Sequence, residues 1–147
     1  MRRRVLLAAA LVAASLVVAA CGDEKTDTYN AEGEKVVDRF QKDLRAAQAE
    51  LQNQTEPEGV ARGIEQMRSA FAEAADGLSR LDPPGDAKAD HDKFVGQLRA
   101  FGPELDRFAK AVREQDSETI GEVQAVFTTR LKELQATADT LKGRLQE

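Results

Sequence analysis

The sequence predicts an all-α protein, specifically an up-down-up-down antiparallel four-helix bundle. Four stretches carry apolar residues at alternating spacings of three and four, which places them along one face of a helix. No stretch alternates polar and apolar residues with the period of a β-strand. The breaks between the four stretches are short, so consecutive helices are expected to be antiparallel neighbours.

Each predicted helix has its own apolar stripe. The first stripe contains Val37, Phe40, Leu44 and Leu51, and the last reaches from 120 to 145. These stripes predict helices over approximately 31–53, 57–81, 86–114 and 117–146, within a single domain covering 31–147. The same spacing also permits self-association through a coiled coil, so an oligomeric bundle is the alternative.

Turn and cap residues set the predicted boundaries. The sequence TEPE at 55–58 resembles a capping box, in which Thr55 caps a helix that begins near Pro57. The DPPGD stretch at 82–86 cannot continue a helix, and Asp116 or Ser117 can cap the fourth helix. Pro103 lies inside the third stripe without shifting its phase, which predicts a kinked but continuous helix.

The N-terminus has the pattern of an exported protein. Arg2, Arg3 and Arg4 precede an uncharged apolar run of about 16 residues, and small residues lead to Cys21. The run is shorter than the roughly 20 residues that span a bilayer. The VAAC sequence at 18–21 resembles the lipobox of bacterial lipoproteins. This resemblance implies that residues 1–20 are a signal peptide, that Cys21 is lipidated, and that 21–30 form a flexible tether.

The resemblance also implies a location. A lipid-anchored chain is expected at the extracytoplasmic face of a cell membrane, in the periplasm or at the cell surface. Loss of residues 1–20 would change the net charge from −5 to about −8. A chain with this much negative charge is a poor nucleic-acid binder. The expected partners are therefore the membrane, through the lipid anchor, and an envelope protein.

The only histidine lies in an acidic stretch, LDPPGDAKADHDKF, at 81–94. Imidazole and carboxylate groups are metal ligands, so His91, Asp90 and Asp86 are candidates for a metal site. Helical spacing does not bring all of these groups together. The favoured interpretation is a helix start, in which Asp86 is the N-cap and the helix dipole stabilises the carboxylates of Asp90 and Asp92 in the first turns. His91 is then expected to be half-buried near the end of the bundle.

Three phenylalanines near Pro103 define a candidate ligand site. A bend at Pro103 could open a cavity beside Phe94, Phe101 and Phe108 for a lipid or another hydrophobic ligand. Aromatic residues on apolar stripes are more often core residues, and the core is the favoured interpretation.

A second resemblance covers about a fifth of the chain. The stretch LSRLDPPGDAKADHDKF at 78–94 is similar to a segment of small helical bacterial lipoproteins, in which a leucine- and proline-containing turn precedes a His-x-x-Phe helix. No activity is assigned to that group, so the resemblance supports the class and location and transfers no site residue.

The predicted function is non-enzymatic. The sequence has no nucleophile elbow, P-loop or zinc-protease motif, and Cys21 is the only cysteine. We therefore predict a structural or partner-binding module that needs no cofactor. The alternative is a lipoprotein that binds a small hydrophobic ligand or a metal, using the phenylalanines, the Pro103 bend and His91.

Overall fold

The chain is all-α over the residues that the computed structural model describes, 24–146, and no strand occurs among them. This confirms the predicted all-α class. The helices are α1 (Glu24–Asn53), α2 (Pro57–Ser79), α3 (Lys88–Arg99), α4 (Phe101–Glu114) and α5 (Ser117–Arg144), with a 3₁₀ turn at Gly85–Ala87. The signal sequence and Cys21 lie outside the described residues.

Helix α1 begins earlier than predicted. Residues 24–30 belong to its first turns, so the tether prediction for 21–30 is wrong over these seven positions. The physical reason is Tyr29, which is only 5% exposed and packs against residues distant in sequence. Lys25 adds an ion pair with Asp82, at 2.8 Å between Nζ and Oδ2. Tertiary contact thus orders a segment whose composition is polar.

The predicted third helix is interrupted rather than continuous. It divides at Ala100 into α3 and α4. Pro103 has no N–H to donate to the carbonyl of Arg99, which removes one helical hydrogen bond at this point. Phe101 and Leu105 are nevertheless 0% and 1% exposed, so the apolar stripe stays in the core across the break.

The helix caps differ from the predictions in two of three places. Asp116 caps α5, and its Oδ1 accepts a hydrogen bond from the N–H of Thr119 at 3.1 Å. The capping box at Thr55 is wrong, because Glu56 occupies the cap position and makes no side-chain cap bond. Asp86 does not cap α3 either: it lies in the 3₁₀ turn, and Ala87 precedes the helix.

Helices α1 and α2 approach closely at glycines. Leu51, near the end of α1, lies against Gly63 in the first half of α2. Val36 lies against Gly77, near the end of α2. A missing Cβ at each glycine lets a branched side chain sit close to the neighbouring backbone, so the two helices bury their stripes with little space between them.

The core lies around α2 and the α3–α4 pair. Its largest fully buried side chains are Phe101, Ile64, Leu98, Leu105 and Val123. The backbone of α1 approaches that of α2 alone, whereas the backbone of α5 approaches α3, α4 and the 3₁₀ turn. The first and last helices are therefore the outer members of the array.

Candidate functional site

His91 is a core residue, not the half-buried residue that the sequence predicted. Its side chain is in α3, and the residue is only 2% exposed. Its Nδ1 lies 2.7 Å from the hydroxyl of Tyr29 in α1, with the two rings edge to face at a centroid distance of 5.5 Å. The prediction failed because this partner is 62 residues away along the chain.

The surroundings of the pair favour its neutral form. Burial lowers the pKa of His91 from 6.5, and the nearby charge of Lys88 acts in the same direction, while Asp92 and the carbonyl of Leu78 partly oppose the shift. Burial also raises the pKa of Tyr29 to about 12. The phenol therefore stays protonated and donates a hydrogen bond to Nδ1, in the tautomer of the neutral imidazole that carries its hydrogen on Nε2.

The acidic neighbours of His91 point elsewhere. Asp90 pairs with Arg144 of α5 at 3.6 Å, and Asp92 pairs with Lys88 one turn away at 3.0 Å. Asp86 is exposed in the 3₁₀ turn. The structure therefore does not bring the proposed ligands His91, Asp90 and Asp86 together, and no cluster of three metal-binding side chains occurs within 24–146.

The candidate ligand phenylalanines lie in or against the core. Phe101 is 0% exposed and Phe108 is 7% exposed, whereas Phe94 is partly buried. A cavity of about 210 Å³ does open at the Ala100 break. The predicted aromatic cavity is not formed, because none of the three phenylalanines lines this space. Four charged and four uncharged residues do: Arg68, Asp76, Arg99 and Asp106, and Ala72, Leu98, Gly102 and Pro103.

Another candidate surface lies between the two outer helices. No Cα atom of α1 lies within 8 Å of a Cα atom of α5. Each helix carries a half-buried, uncharged row beside this gap, with successive spacings of 4, 3 and 4 residues. We call these eight residues the α1–α5 seam: Val37, Gln41, Leu44 and Gln48 in α1, and Ile120, Gln124, Phe127 and Leu131 in α5.

Ion pairs on the other edges of α1 and α5 show which way the rows face. Arg39 binds Glu73 of α2 at 2.8 Å, and Gln41 points about 200° away from Arg39 around the helix. Arg130 binds Glu104 of α4 at 3.3 Å, and the next residue, Leu131, points about 100° away. Both rows therefore lie on the edges that lack these salt bridges.

Aromatic rings form the floor of the seam. Phe71 of α2 is buried and contacts Phe40 of α1 at a centroid distance of 5.0 Å. It also contacts Phe127 of α5 at 6.2 Å. The two outer helices are thus held apart over one ring of α2, and the apolar side chains above that ring stay partly exposed.

Tyr29 and the three seam glutamines were not predicted from the sequence, whereas the apolar members of the seam lie on the predicted stripes. Tyr29 extends the α1 stripe, because Gly33 and Val37 follow it at four-residue intervals, and that phase was a usable signal. The seam had no comparable signal. A heptad stripe shows that a face is apolar, and the partner helix that covers it is decided by the packing of the whole chain.

Comparison with known proteins gives no relative for this arrangement: no family model, curated protein or solved structure matches the chain. Among the helices within 24–146, none has the length and apolar content required to cross a bilayer.

Proposed function

We propose that this chain is a membrane-anchored lipoprotein of the cell envelope whose helical domain binds a protein partner. The α1–α5 seam is the binding surface, and its occupant is one amphipathic helix of that partner. The open, uncharged seam is the observation that carries the proposal. The proposal assigns no catalytic residue and no cofactor to the chain.

The domain is proposed to be an up-down-up-down antiparallel bundle that is open on one side. Contacts between opposite ends of successive helices support this arrangement. Leu51, late in α1, meets Gly63, early in α2, and Val36, earlier in α1, meets Gly77, late in α2. The two helices therefore run in opposite directions. The ion pairs between the later helices follow the same reversed order: Arg113 with Glu58, Arg107 with Glu122, Arg130 with Glu104, and Arg144 with Asp90.

The chemistry of the seam fits a helix better than a lipid. Its rows have the 4-3-4 spacing that an amphipathic helix can fill with its own apolar stripe. Gln41, Gln48 and Gln124 place amide groups among the apolar side chains, and these groups offer hydrogen bonds that an acyl chain cannot return. The absence of charge in both rows removes the desolvation cost that charged side chains would impose on a docked helix.

Membrane attachment is supported by the N-terminal pattern. The basic start, the apolar run and the VAAC sequence at 18–21 are typical of lipoprotein export. Two or more acyl chains on Cys21 would hold the chain stably at the membrane, because one chain alone gives only marginal binding. An acidic domain is repelled by anionic head groups, so the anchor supplies the attraction.

Site-specific photocrosslinking in the native host tests the seam. A photoreactive residue is placed at Gln41 or Gln124. The matched controls carry it at the exposed positions Lys42 and Lys132, which adjoin Gln41 and Leu131 of the seam. We expect both seam positions to trap the same envelope protein and both controls to trap none of it. Equal products from seam and control positions would contradict the proposal, and a product of two copies of this chain would replace the partner helix with self-association.

Lipidation is tested separately. The Cys21→Ser variant is expected to lose the mass of its acyl chains and to leave the membrane fraction. Mass spectrometry of the protein and fractionation of the cells measure these two outcomes. An unlipidated wild-type chain would overturn the anchoring proposal and would leave the crosslinking result on the seam intact.

A further inference from the structure

We propose that His91 is a pH-responsive contact that controls the docking of the first two turns of α1. When the imidazole takes up a proton, residues 24–31 are released from the rest of the bundle. This inference concerns a region distinct from the α1–α5 seam, and the release itself does not depend on a bound partner or a lipid anchor.

The start of α1 is held by very few buried contacts. Tyr29 is the only buried side chain among residues 24–31, and the next buried position is Gly33. Tyr29 packs in a small apolar cluster with Ala87, Leu141 and Leu145. The Lys25–Asp82 ion pair is exposed at both ends, so it contributes little. Docking of these two turns therefore depends mainly on Tyr29 and on the group that its hydroxyl meets.

Protonation of His91 changes what that hydroxyl meets. In the neutral pair, Nδ1 accepts the hydrogen of the Tyr29 phenol at 2.7 Å. A protonated imidazole carries hydrogens on both nitrogens. Nδ1 then becomes a donor, so the phenol has to accept from it, and its own hydrogen loses its acceptor. A buried charge and a buried hydroxyl without an acceptor arise together, and both disfavour the docked state.

The charged groups around His91 do not offset this cost. On its own helix, Lys88 and Asp92 act on the imidazole in opposite directions and are paired with each other. Helix α2 presents the carbonyl of Leu78. Among the carboxylates near this end, Asp90 is paired with Arg144 of α5.

Before α3, Asp82 is paired with Lys25 of α1, and Asp86 is exposed to solvent in the 3₁₀ turn. Burial is the largest influence on His91 and lowers its pKa. Release is therefore expected in mildly acidic solution, below the ordinary histidine pKa of about 6.5.

Release would lengthen the connection between anchor and domain. Eight residues span about 12 Å as a helix and up to about 28 Å when extended. Under the proposed anchoring at Cys21, acidification therefore lets the bundle move further from the membrane. This consequence rests on the proposed lipidation, whereas the undocking does not.

Hydrogen exchange and NMR on the full chain in detergent micelles test the release. Amide exchange is followed by mass spectrometry at pH 7.5 and 5.0, with labelling times scaled for the intrinsic pH dependence of exchange. The amides of 28–35 donate to the carbonyls of 24–31 in the helix, so release of 24–31 exposes them. We expect these amides to exchange faster at pH 5.0, by up to about tenfold per pH unit, since one proton is linked to opening. Amides of 64–71 in the core of α2 exchange through global unfolding, so they are the internal reference and should remain far more protected than 28–35 at both pH values.

The single histidine allows its protonation to be observed directly. The NMR signal of the His91 ring should titrate below pH 6.5. The midpoint of this titration should equal the midpoint of the pH-dependent change in amide exchange at 28–35. In the His91→Gln variant, which cannot take up a proton, exchange at 28–35 should be independent of pH. Tyr29→Phe, which keeps the ring and removes the hydroxyl, should raise exchange at 28–35 already at pH 7.5.

Two results would overturn the inference. One is scaled exchange at 28–35 that is equal at both pH values in the wild type. The other is a pH response in His91→Gln as large as that of the wild type, with circular dichroism showing the variant to be folded. Neither result bears on crosslinking at the seam or on acylation of Cys21, so the proposed function is judged separately.

Discussion

Leu51 of α1 and Gly63 of α2 are in such close contact that a Cβ on Gly63 would lie 2.7 Å from two carbon atoms of the leucine side chain. Such a separation is well below carbon–carbon contact distance, so Gly63→Ala forces the helices apart or the leucine into another rotamer. We expect a loss of about 1–3 kcal/mol in the free energy of unfolding. Urea denaturation followed by circular dichroism measures it.

The matched control is Gly121→Ala in α5. Gly121 is also helical, and a Cβ there meets nothing within 4 Å. Alanine is favoured over glycine in a helix by about 0.5–1 kcal/mol. The control should therefore be more stable than the wild type. A stabilised Gly63→Ala variant would show that the close contact between α1 and α2 does not exist.

Phe101 should be the most costly aromatic side chain to remove. It is 0% exposed, stacks on Phe71 at a centroid distance of 4.4 Å, and meets Phe127 edge to face at 4.9 Å. Phe101→Ala leaves a cavity where three helices join, with an expected cost of about 3–5 kcal/mol. Phe94→Ala, at a partly exposed site in the adjacent α3, should cost clearly less in the same urea experiment. Equal costs would contradict the core position of Phe101.

The elements that sequence reasoning located correctly are those fixed by local chemistry. The apolar stripes gave α2 and α5 to within about two residues, and the cap at Asp116 follows from the preference of a short polar side chain for the N–H groups of a first turn. The position of Pro103 likewise indicated where the third helix would be distorted, although it did not show that the helix would divide at Ala100.

The features that were missed depend on contacts between distant parts of the chain. Residues 24–30 read as a tether because they are polar, yet one tyrosine docks them through His91. The burial of His91 was missed for the same reason. The seam between α1 and α5 reflects how far two helices are held apart by Phe71. Periodicity along one helix contains no information on that distance.

The cap of α5 gives a prediction for strongly acidic solution. Asp116 accepts hydrogen bonds from the hydroxyl and the N–H of Thr119, at 2.7 Å and 3.1 Å, and these bonds lower the pKa of its carboxyl group. Its folded pKa is therefore below its unfolded value. The stabilisation is present above the unfolded pKa of about 4 and is lost as the pH falls through the folded pKa.

Two variants separate the cap from its charge. Asp116→Ala removes both and should lower the melting temperature at pH 7, whereas Asp116→Asn keeps an accepting oxygen and should retain most of the stability. Below about pH 4, only the wild type should lose stability through protonation of this residue. The melting temperature of the asparagine variant should therefore fall less steeply with pH in that range. Identical melting temperatures for wild type and Asp116→Ala would show that the cap contributes nothing.

His91 gives a prediction for the global stability in a higher pH range. Burial lowers its pKa in the folded protein, whereas the unfolded chain has the ordinary value of about 6.5. Below that pH the unfolded chain binds the proton more readily than the folded chain does. The resulting stabilisation is thus complete above pH 6.5 and falls as the pH drops, by at most about 1.4 kcal/mol per pH unit for one proton.

The free energy of unfolding of the wild type and of His91→Gln should therefore converge as the pH falls from 7.5 to 5. The glutamine variant is expected to be less stable at pH 7.5, because its amide does not reproduce the geometry with Tyr29, and to have a flatter pH profile. Urea titrations at half-unit pH steps measure both curves. Parallel curves across this range would mean that His91 takes up its proton equally in the folded and unfolded chains, which the buried contact with Tyr29 does not allow.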